Sequence, residues 1–214
     1  MKNDSIIDTI ADLRTRLEPV ERISHLMNEA EKGLSRPRKA AVLLGLFDQD
    51  SKLYIAFIRR SEKLRSHSGE IAFPGGSLDT SDTSLVETAL REAEEEIGLD
   101  PVRVEVLGVL EPVFTMVSNF IVLPVVAFLP DGLGDLSLQS SEVAELILAS
   151  LPGLADPSIA RTENWTRHGI TMPVFFYEYG PYTIWGATAR MLKTLLSVYQ
   201  PQVDDGAAAD YKAG

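Results

Sequence analysis

Residues 84–99 read SLVETALREAEEEIGL and bring Arg91, Glu92, Glu95 and Glu96 close together in the chain. At ~100° per residue, with Val86 at zero, Ala89, Leu90, Ala93 and Ile97 fall within roughly 60° of it, an apolar stripe for packing. Glu92, Glu95 and Glu96 fall between about 180° and 280°, so three carboxylates share the opposite flank. Like charges at i, i+3 and i+4 destabilise an isolated helix. A divalent cation offsets such crowding, and hard carboxylate oxygens suit Mg²⁺ or Mn²⁺. Arg91 can pair with Glu95 one turn on and hold it in one orientation. The turn Pro74-Gly75-Gly76 ahead of the helix lets backbone groups approach a metal or phosphate, because no Cβ intervenes. A carboxylate at or beside the metal could deprotonate a bound water, and together these parts make a site for attack on a phosphoanhydride. The bland alternative is a solvated acidic helix face. The glycine turn and the clean separation of apolar from acidic flanks weigh against it.

The elements that must carry these residues follow from periodicity. Residues 5–17 and 20–32 have apolar positions at helical spacing. Residues 40–47 and 53–59 read as a hairpin, with Asp48-Gln49-Asp50-Ser51 as turn chemistry. The acidic helix follows, with Ser84 and Glu87 as a capping box and Gly98 at the left-handed C′ position. Residues 102–113 and 120–129 read as strands, the second apolar enough to be buried on both faces. Pro124 inside it predicts a strand edge or a bulge. Residues 143–148 make a further strand, 152–155 a helical turn, 165–167 with 174–179 a late hairpin, and 187–199 a final helix. The tail from Pro201 is small and polar and should fray. This is an α/β mixture with antiparallel pairing, and not a doubly wound parallel sheet.

A length of 214 residues suits one sizeable core. The formal net charge of −11 argues against nucleic acid or an anionic membrane as the main partner. It leaves room for a phosphorylated substrate, since a bound metal inverts the local charge. With no cysteine there is no disulfide, thiolate nucleophile or cysteine zinc site, which fits a reducing, cytoplasmic setting. The N-terminus reads as no secretory signal, and no apolar run approaches the ~18 residues of a membrane span.

The spacing Gly76-x5-Asp82-x8-Arg91-Glu92-Ala93-x-Glu95-Glu96-x-Gly98-Leu99 resembles the Nudix box, GX5EX7REUXEEXGU with U a large aliphatic residue. Asp82 stands in place of Glu, Ala93 is a small substitute for U, and the first half is one residue longer. Upstream, Arg60-Ser61-x3-Arg65-x3-Gly69-x3-Phe73-Pro74-Gly75-Gly76 resembles the second signature of the coenzyme A pyrophosphatase branch of that family, R-[SA]-x3-R-x3-G-x3-FPGG. That signature's leading LLT is replaced by Ala56, Phe57 and Ile58. The same branch commonly shows the stretched first half, and residues 184–189 (IWGATA) look like its C-terminal segment.

The resemblance implies an α/β (α+β) Nudix fold, a mixed β-sheet sandwiched between α-helices. Residues 1–35 would form an N-terminal helical extension, 36–200 the Nudix domain and 201–214 a flexible tail. It implies Mg²⁺- or Mn²⁺-dependent hydrolysis of coenzyme A or an acyl or oxidised derivative, giving 4′-phosphopantetheine or its acyl form and adenosine 3′,5′-bisphosphate. Glu92, Glu95 and Glu96 would bind metal, Gly76 would offer a backbone ligand, and Arg91 would orient a glutamate. Arg60, Arg65, Gly69 and Phe73 carry the signature that would meet the substrate. Glu142, after a loop at the start of a strand, is the candidate further base or ligand, with Glu145 its local rival. His67 reads as a hydrogen-bonding loop residue and Trp185 as packing or a stacking surface for adenine. His25 and His168 have no chemical context. The rival functions are a Nudix hydrolase of another nucleoside diphosphate derivative such as ADP-ribose, and a non-catalytic nucleotide-sensing Nudix domain. A homodimer stays open, with the N-terminal helices as one surface for it.

Overall fold

A computed structural model describes residues 4–64, 67–167 and 169–199. Two helices lead the chain, α1 (Asp4–Arg16) and α2 (Ile23–Glu31), split by a short 3₁₀ turn at Val20–Arg22. The hairpin of β1 (Arg38–Gln49) and β2 (Lys52–Arg60) turns through Asp50 and Ser51, both at positive φ (52° and 61°). That pair of left-handed residues matches the twist of the flanking strands. The two strands pair only from Leu46–Gln49 to Lys52–Ile55 and then diverge. Into the gap between them run β3 (Ile71–Ala72), paired to β2, and β4 (Gly75–Ser77), paired to β1. The acidic helix α3 (Leu85–Ile97) follows.

Beyond it come β5 (Glu105–Val109), β6 (Val113–Thr115), β7 (Phe120–Leu129) and β8 (Val143–Ser150). β7 runs parallel to β1, and the other pairings of this eight-stranded sheet are antiparallel. The single strand expected over 102–113 is instead a 3₁₀ turn at Pro101–Arg103 followed by β5 and β6. Pro124 marks neither an edge nor a bulge of its own strand. It lies mid-β7, opposite the gap between β6 and β5, where its carbonyl accepts from Leu110 N at 3.0 Å. A residue's N and C=O point to the same side of a strand, so Pro124 accepts the ladder bond from Leu110 but cannot return one, and the regular ladder is interrupted there between β6 and β5. A helical turn α4 (Leu151–Leu154) leads to a second, three-stranded antiparallel sheet of β9 (Ala160–Arg167), β10 (Ile170–Tyr179) and β11 (Tyr182–Trp185). Helix α5 (Gly186–Val198) ends the described chain.

The large sheet separates two apolar layers. One face packs α2 and α3 through Leu26, Met27, Ala89, Ala93 and Ile97 against Leu43, Ile58, Leu123 and Val125. The other packs α1, α5 and the second sheet through Ile10, Leu13, Leu192 and Leu195 against Leu44, Phe57 and Phe73. The expected mixed sheet between helices is what the chain forms. Residues 4–17 are built into that core, and Glu18 exchanges two backbone hydrogen bonds with Val109 (3.0 and 2.8 Å). Among the described residues no helix is long and apolar enough to cross a membrane. His168, Arg65 and the tail from Pro201 lie outside the described residues.

Candidate active site

Ser84 caps α3, its Oγ accepting from Glu87 N at 3.1 Å. Glu87 reaches back one residue further than a capping box requires, to the amide (2.7 Å) and hydroxyl of Thr83. Gly98 closes the helix at φ 73°, its amide donating to Glu94 O at 2.8 Å. The burial of the helix differs from its apolar pattern. Leu85, Ala89, Ala93 and Ile97 are buried, and so are Thr88 and Glu96. On the same angular scale Leu85 falls near ~260°, Glu96 near ~280° and Ala89 near ~300°. The carboxylates therefore do not share one flank: Glu96 is 3% exposed, Glu92 17% and Glu95 59%. A stripe drawn through apolar residues alone misses a buried acid in its midst.

Gly75 and Gly76 lie in strand β4, after a bend at Pro74, and do not form the turn that opens the helix. Ala41 pairs with Gly76 and Val42 with Gly75, and residues 78–84 then lead to the helix. Pro74 O accepts from Leu43 N at 2.8 Å. Both glycines are required by proximity. A Cβ on Gly75, at φ 154°, would come within 2.6 Å of Val42 Cα; one on Gly76 would meet both Glu92 carboxylate oxygens at 2.5 Å. The strand thus lies against the helix with a backbone edge beside Glu92, and Gly75 N donates to Glu96 Oε2 at 2.9 Å.

Burial pushes the Glu92 carboxyl above its ordinary range, against the pull of Arg91. It pushes Glu96 up to about 7, only partly opposed by the Gly75 amide and Arg60. Glu142, exposed just ahead of β8, adds its charge to both. Its carbonyl accepts from Ser61 N at 2.7 Å, which ties that loop to the end of β2. Arg60 brings Nη1 to 3.7 Å from Glu96 Oε1, while its buried Nε has no hydrogen-bond partner among the described residues. An unsatisfied buried donor is costly, and an anion at this rim would satisfy it.

Arg91 joins the cluster to a residue left outside the proposed site set. Its Nε and Nη2 donate to the two oxygens of Asp82 at 2.8 and 3.0 Å, and Asp82 also accepts from Thr88 Oγ1 and Asp79 N, both at 2.9 Å. The Arg91 hydrogen bond, chiefly, holds the Asp82 carboxyl far below the usual range. Arg91 then reaches Glu95 Oε2 at 3.2 Å and Glu92 Oε1 at 3.1 Å. The expected Arg91–Glu95 contact exists, but Asp82 is the anchor; its place in the motif spacing is the signal that marks it. Among the described residues no three acidic or histidine side chains stand as a metal-holding group. Glu95 is turned to Arg91 and Glu96 to the Gly75 amide.

The other candidates separate cleanly. Phe73 is 2% exposed and stacks on Phe57 with centroids 4.6 Å apart, so it anchors Pro74–Gly76 from within the core and presents no surface to a substrate. Gly69, at φ 72°, donates to Arg60 O at 3.1 Å and closes the signature loop. His67 pairs with Glu70 at 2.9 Å on the surface. Glu145 faces the opposite side of the sheet, where it accepts from Tyr182 OH (2.6 Å) and Arg59 Nε (2.8 Å). It is not a member of the carboxylate cluster. Trp185 stands on the second sheet beside Trp165 and Phe176, the former unremarked in the sequence.

Residues 36–168 match the NUDIX domain family, and the chain belongs to that family. It is 39% identical over 163 residues to the uncharacterized Nudix hydrolase NudL of Photorhabdus laumondii, covering 76% of this chain and 86% of that protein. It is 39% identical to the chloroplastic Nudix hydrolase 22 of Arabidopsis thaliana, over 77% of this chain and 57% of that one. A MutT/nudix family protein from Enterococcus faecalis resembles it in structure with a TM-score of 0.48 at 16% identity, over 82% of this chain and 66% of that one. Nudix hydrolases generally use divalent ions such as Mg²⁺ or Mn²⁺.

Proposed function

We propose that this chain hydrolyses the diphosphate bond of coenzyme A or an acyl or oxidised derivative, releasing 4′-phosphopantetheine, or its modified form, and adenosine 3′,5′-bisphosphate. The observation that carries the reading is the meeting of half-buried Glu92 and buried Glu96 with the Gly75–Gly76 backbone, under the charge of Glu142 and beside an Arg60 Nε that has no partner among the described residues. Two mutually repelling carboxylates, one buried and one half-buried, beside a glycine backbone are a donor set that suits a hard cation. Glu92, Glu95 and Glu96 with Gly76 O would hold Mg²⁺ or Mn²⁺, which when bound polarises the diphosphate and acidifies the attacking water.

The protein's own residues do the rest. Asp82 fixes Arg91, and Arg91 holds Glu92 and Glu95 in register. Arg60 would donate its Nε–H, which has no acceptor among the described residues, to a phosphate oxygen. Glu142, exposed on the facing loop, would accept the proton of the attacking water as the new P–O bond forms and the bridging P–O bond breaks. The coenzyme A assignment is supported by the signature at 60–76, whose Arg60 and Gly75–Gly76 border this site while Gly69 bonds to the Arg60 backbone.

Mass analysis of products from coenzyme A, ADP-ribose and a nucleoside triphosphate, each with Mg²⁺ and with chelator, tests it. Metal-dependent release of adenosine 3′,5′-bisphosphate from coenzyme A is the expected result. Cleavage of ADP-ribose to adenosine monophosphate with coenzyme A untouched would sink the substrate assignment.

A further inference from the structure

On the side of the sheet away from α3, a cleft of about 490 Å³ opens between the signature loop and the second sheet. Its character is aromatic. Trp165, Phe176 and Trp185 project from one face of β9, β10 and β11, with centroids 5.9 to 6.3 Å apart, and Phe176 and Trp185 lie within 12° of parallel. Gly69 and Glu70 form part of the facing wall. Trp165 is 45% exposed although it is among the largest apolar side chains of the chain. Among the described residues of the lining, Ile71 is the one leucine-, isoleucine- or valine-type side chain, so the walls offer ring faces and polar loop groups where an alkyl chain would call for aliphatic packing.

The cleft and the carboxylate cluster share one loop. Consecutive residues of β2 point to opposite faces, so Arg60 approaches Glu96 while Arg59 borders the cleft. Gly69 N and Glu70 O both bond to the Arg60 backbone (3.1 and 2.9 Å), which holds the cleft wall against the rim of the site. Ile71 and Gly75 are four residues apart, a span of at most ~14 Å even if fully extended. A ribose with its phosphates covers that distance.

From this geometry we infer that the Trp165–Phe176–Trp185 cleft is the seat of the nucleotide's purine base, stacked on indole while the loop backbone meets the base edge. The inference rests on a nucleotide substrate, as proposed above, but its test does not depend on turnover. Every planar base has a π-face, and an aromatic platform captures it without aliphatic packing. The ribose and phosphates would then run past Gly69 towards Arg60.

The chain's two tryptophans both line this cleft, so intrinsic fluorescence reads it directly. With full-length protein and excess chelator, adenosine 5′-monophosphate should quench the emission saturably, whereas ribose 5-phosphate and pantetheine should not. Trp165→Leu and Trp185→Leu should each weaken the adenosine 5′-monophosphate affinity about tenfold or more, read from the remaining tryptophan. Trp185→Phe, which keeps a ring, should retain most of it. With substrate, the loss should appear in KM instead of kcat. Absence of saturable quenching by adenosine 5′-monophosphate in the wild-type protein overturns the inference, as does quenching by pantetheine alone. An inactive enzyme that still shows the adenosine signal would instead count against the catalytic proposal and leave the cleft assignment standing.

Discussion

Gly76 and Glu92 stand so close that no side chain fits between them: a Cβ on Gly76 would lie 2.5 Å from each carboxylate oxygen. Gly75 is tight for a different reason, since its hypothetical Cβ strikes the backbone of Val42 at 2.6 Å. The two glycines of one dipeptide therefore serve site and fold separately. Gly76→Ala can be accommodated by moving the end of a flexible glutamate. It should cut turnover by about 10²-fold or more while costing less than ~1 kcal/mol of stability. Gly75→Ala, at φ 154° against rigid backbone, should lose well over ~1 kcal/mol, read as a lower urea midpoint. Equal stability losses in the two variants would show that Glu92 cannot yield and that this division is wrong.

Asp82→Asn tests the anchor of Arg91. The amide can still accept one hydrogen bond, but its NH₂ faces a guanidinium N–H, and the cation loses its nearest counter-charge. About 1–3 kcal/mol should be lost near neutral pH, at the lower end if solvent screens the quarter-exposed Arg91. The sign with pH follows from the depressed Asp82 pKa. The folded pKa lies below the unfolded value near 3.8, so the contribution is fully present above that value and is lost as pH falls through the folded one. Wild type and Asp82→Asn should therefore differ most in urea midpoint above about pH 5 and converge in strong acid. A difference that does not depend on pH would assign Asp82 a packing role only.

Glu96 gives the opposite slope. Its folded pKa, raised to about 7 by burial, lies above the unfolded value of 4.5, so the folded state binds more protons between the two. Stability of the chelated protein should decline as pH rises through that window, and Glu96→Gln should flatten the decline. Because the ion must displace that proton, apparent Mg²⁺ affinity should rise with pH up to about 7 and then level off. Urea titrations across pH, with and without Mg²⁺, read both effects. A metal-free stability that climbs from pH 5 to 7 by way of Glu96 would contradict this assignment.

What was legible in the sequence is what local chemistry dictates. Ser84 and Gly98 marked the ends of α3 because a cap and a left-handed stop leave residue-type signatures, and β7 was readable because ten residues of apolar run make a long signal. Strands β3, β4 and β6 escaped because two or three residues are too few for any periodicity. Glu96 was readable as an acid but not as a buried one, since its burial comes from the strand laid against it. Phe73 was misassigned because a signature position says where a residue is needed and not whether it touches ligand or supports what does. The aromatic cleft joins residues around 70, 165 and 185, and only tertiary structure brings such separate segments together.

The last prediction separates catalyst from binding module. Glu95 is 59% exposed and contacts Arg91, while Glu142 is exposed on the opposite loop, so neither side chain holds the core together. Glu95→Gln and Glu142→Gln should both leave the unfolding free energy from urea titration within ~0.5 kcal/mol of wild type. Glu95→Gln removes a proposed metal ligand and should lower turnover by at least ~10²-fold, with a higher Mg²⁺ requirement. Glu142→Gln removes the proposed base and should lower kcat by a similar ~10²-fold at pH 7 with the Mg²⁺ requirement unchanged. Metal titrations of the initial rate distinguish the two. If both variants turn over substrate like the wild type, the carboxylate cluster is not the engine of hydrolysis. If the wild type binds adenosine nucleotides but releases no product with any divalent ion, the domain is a nucleotide sensor.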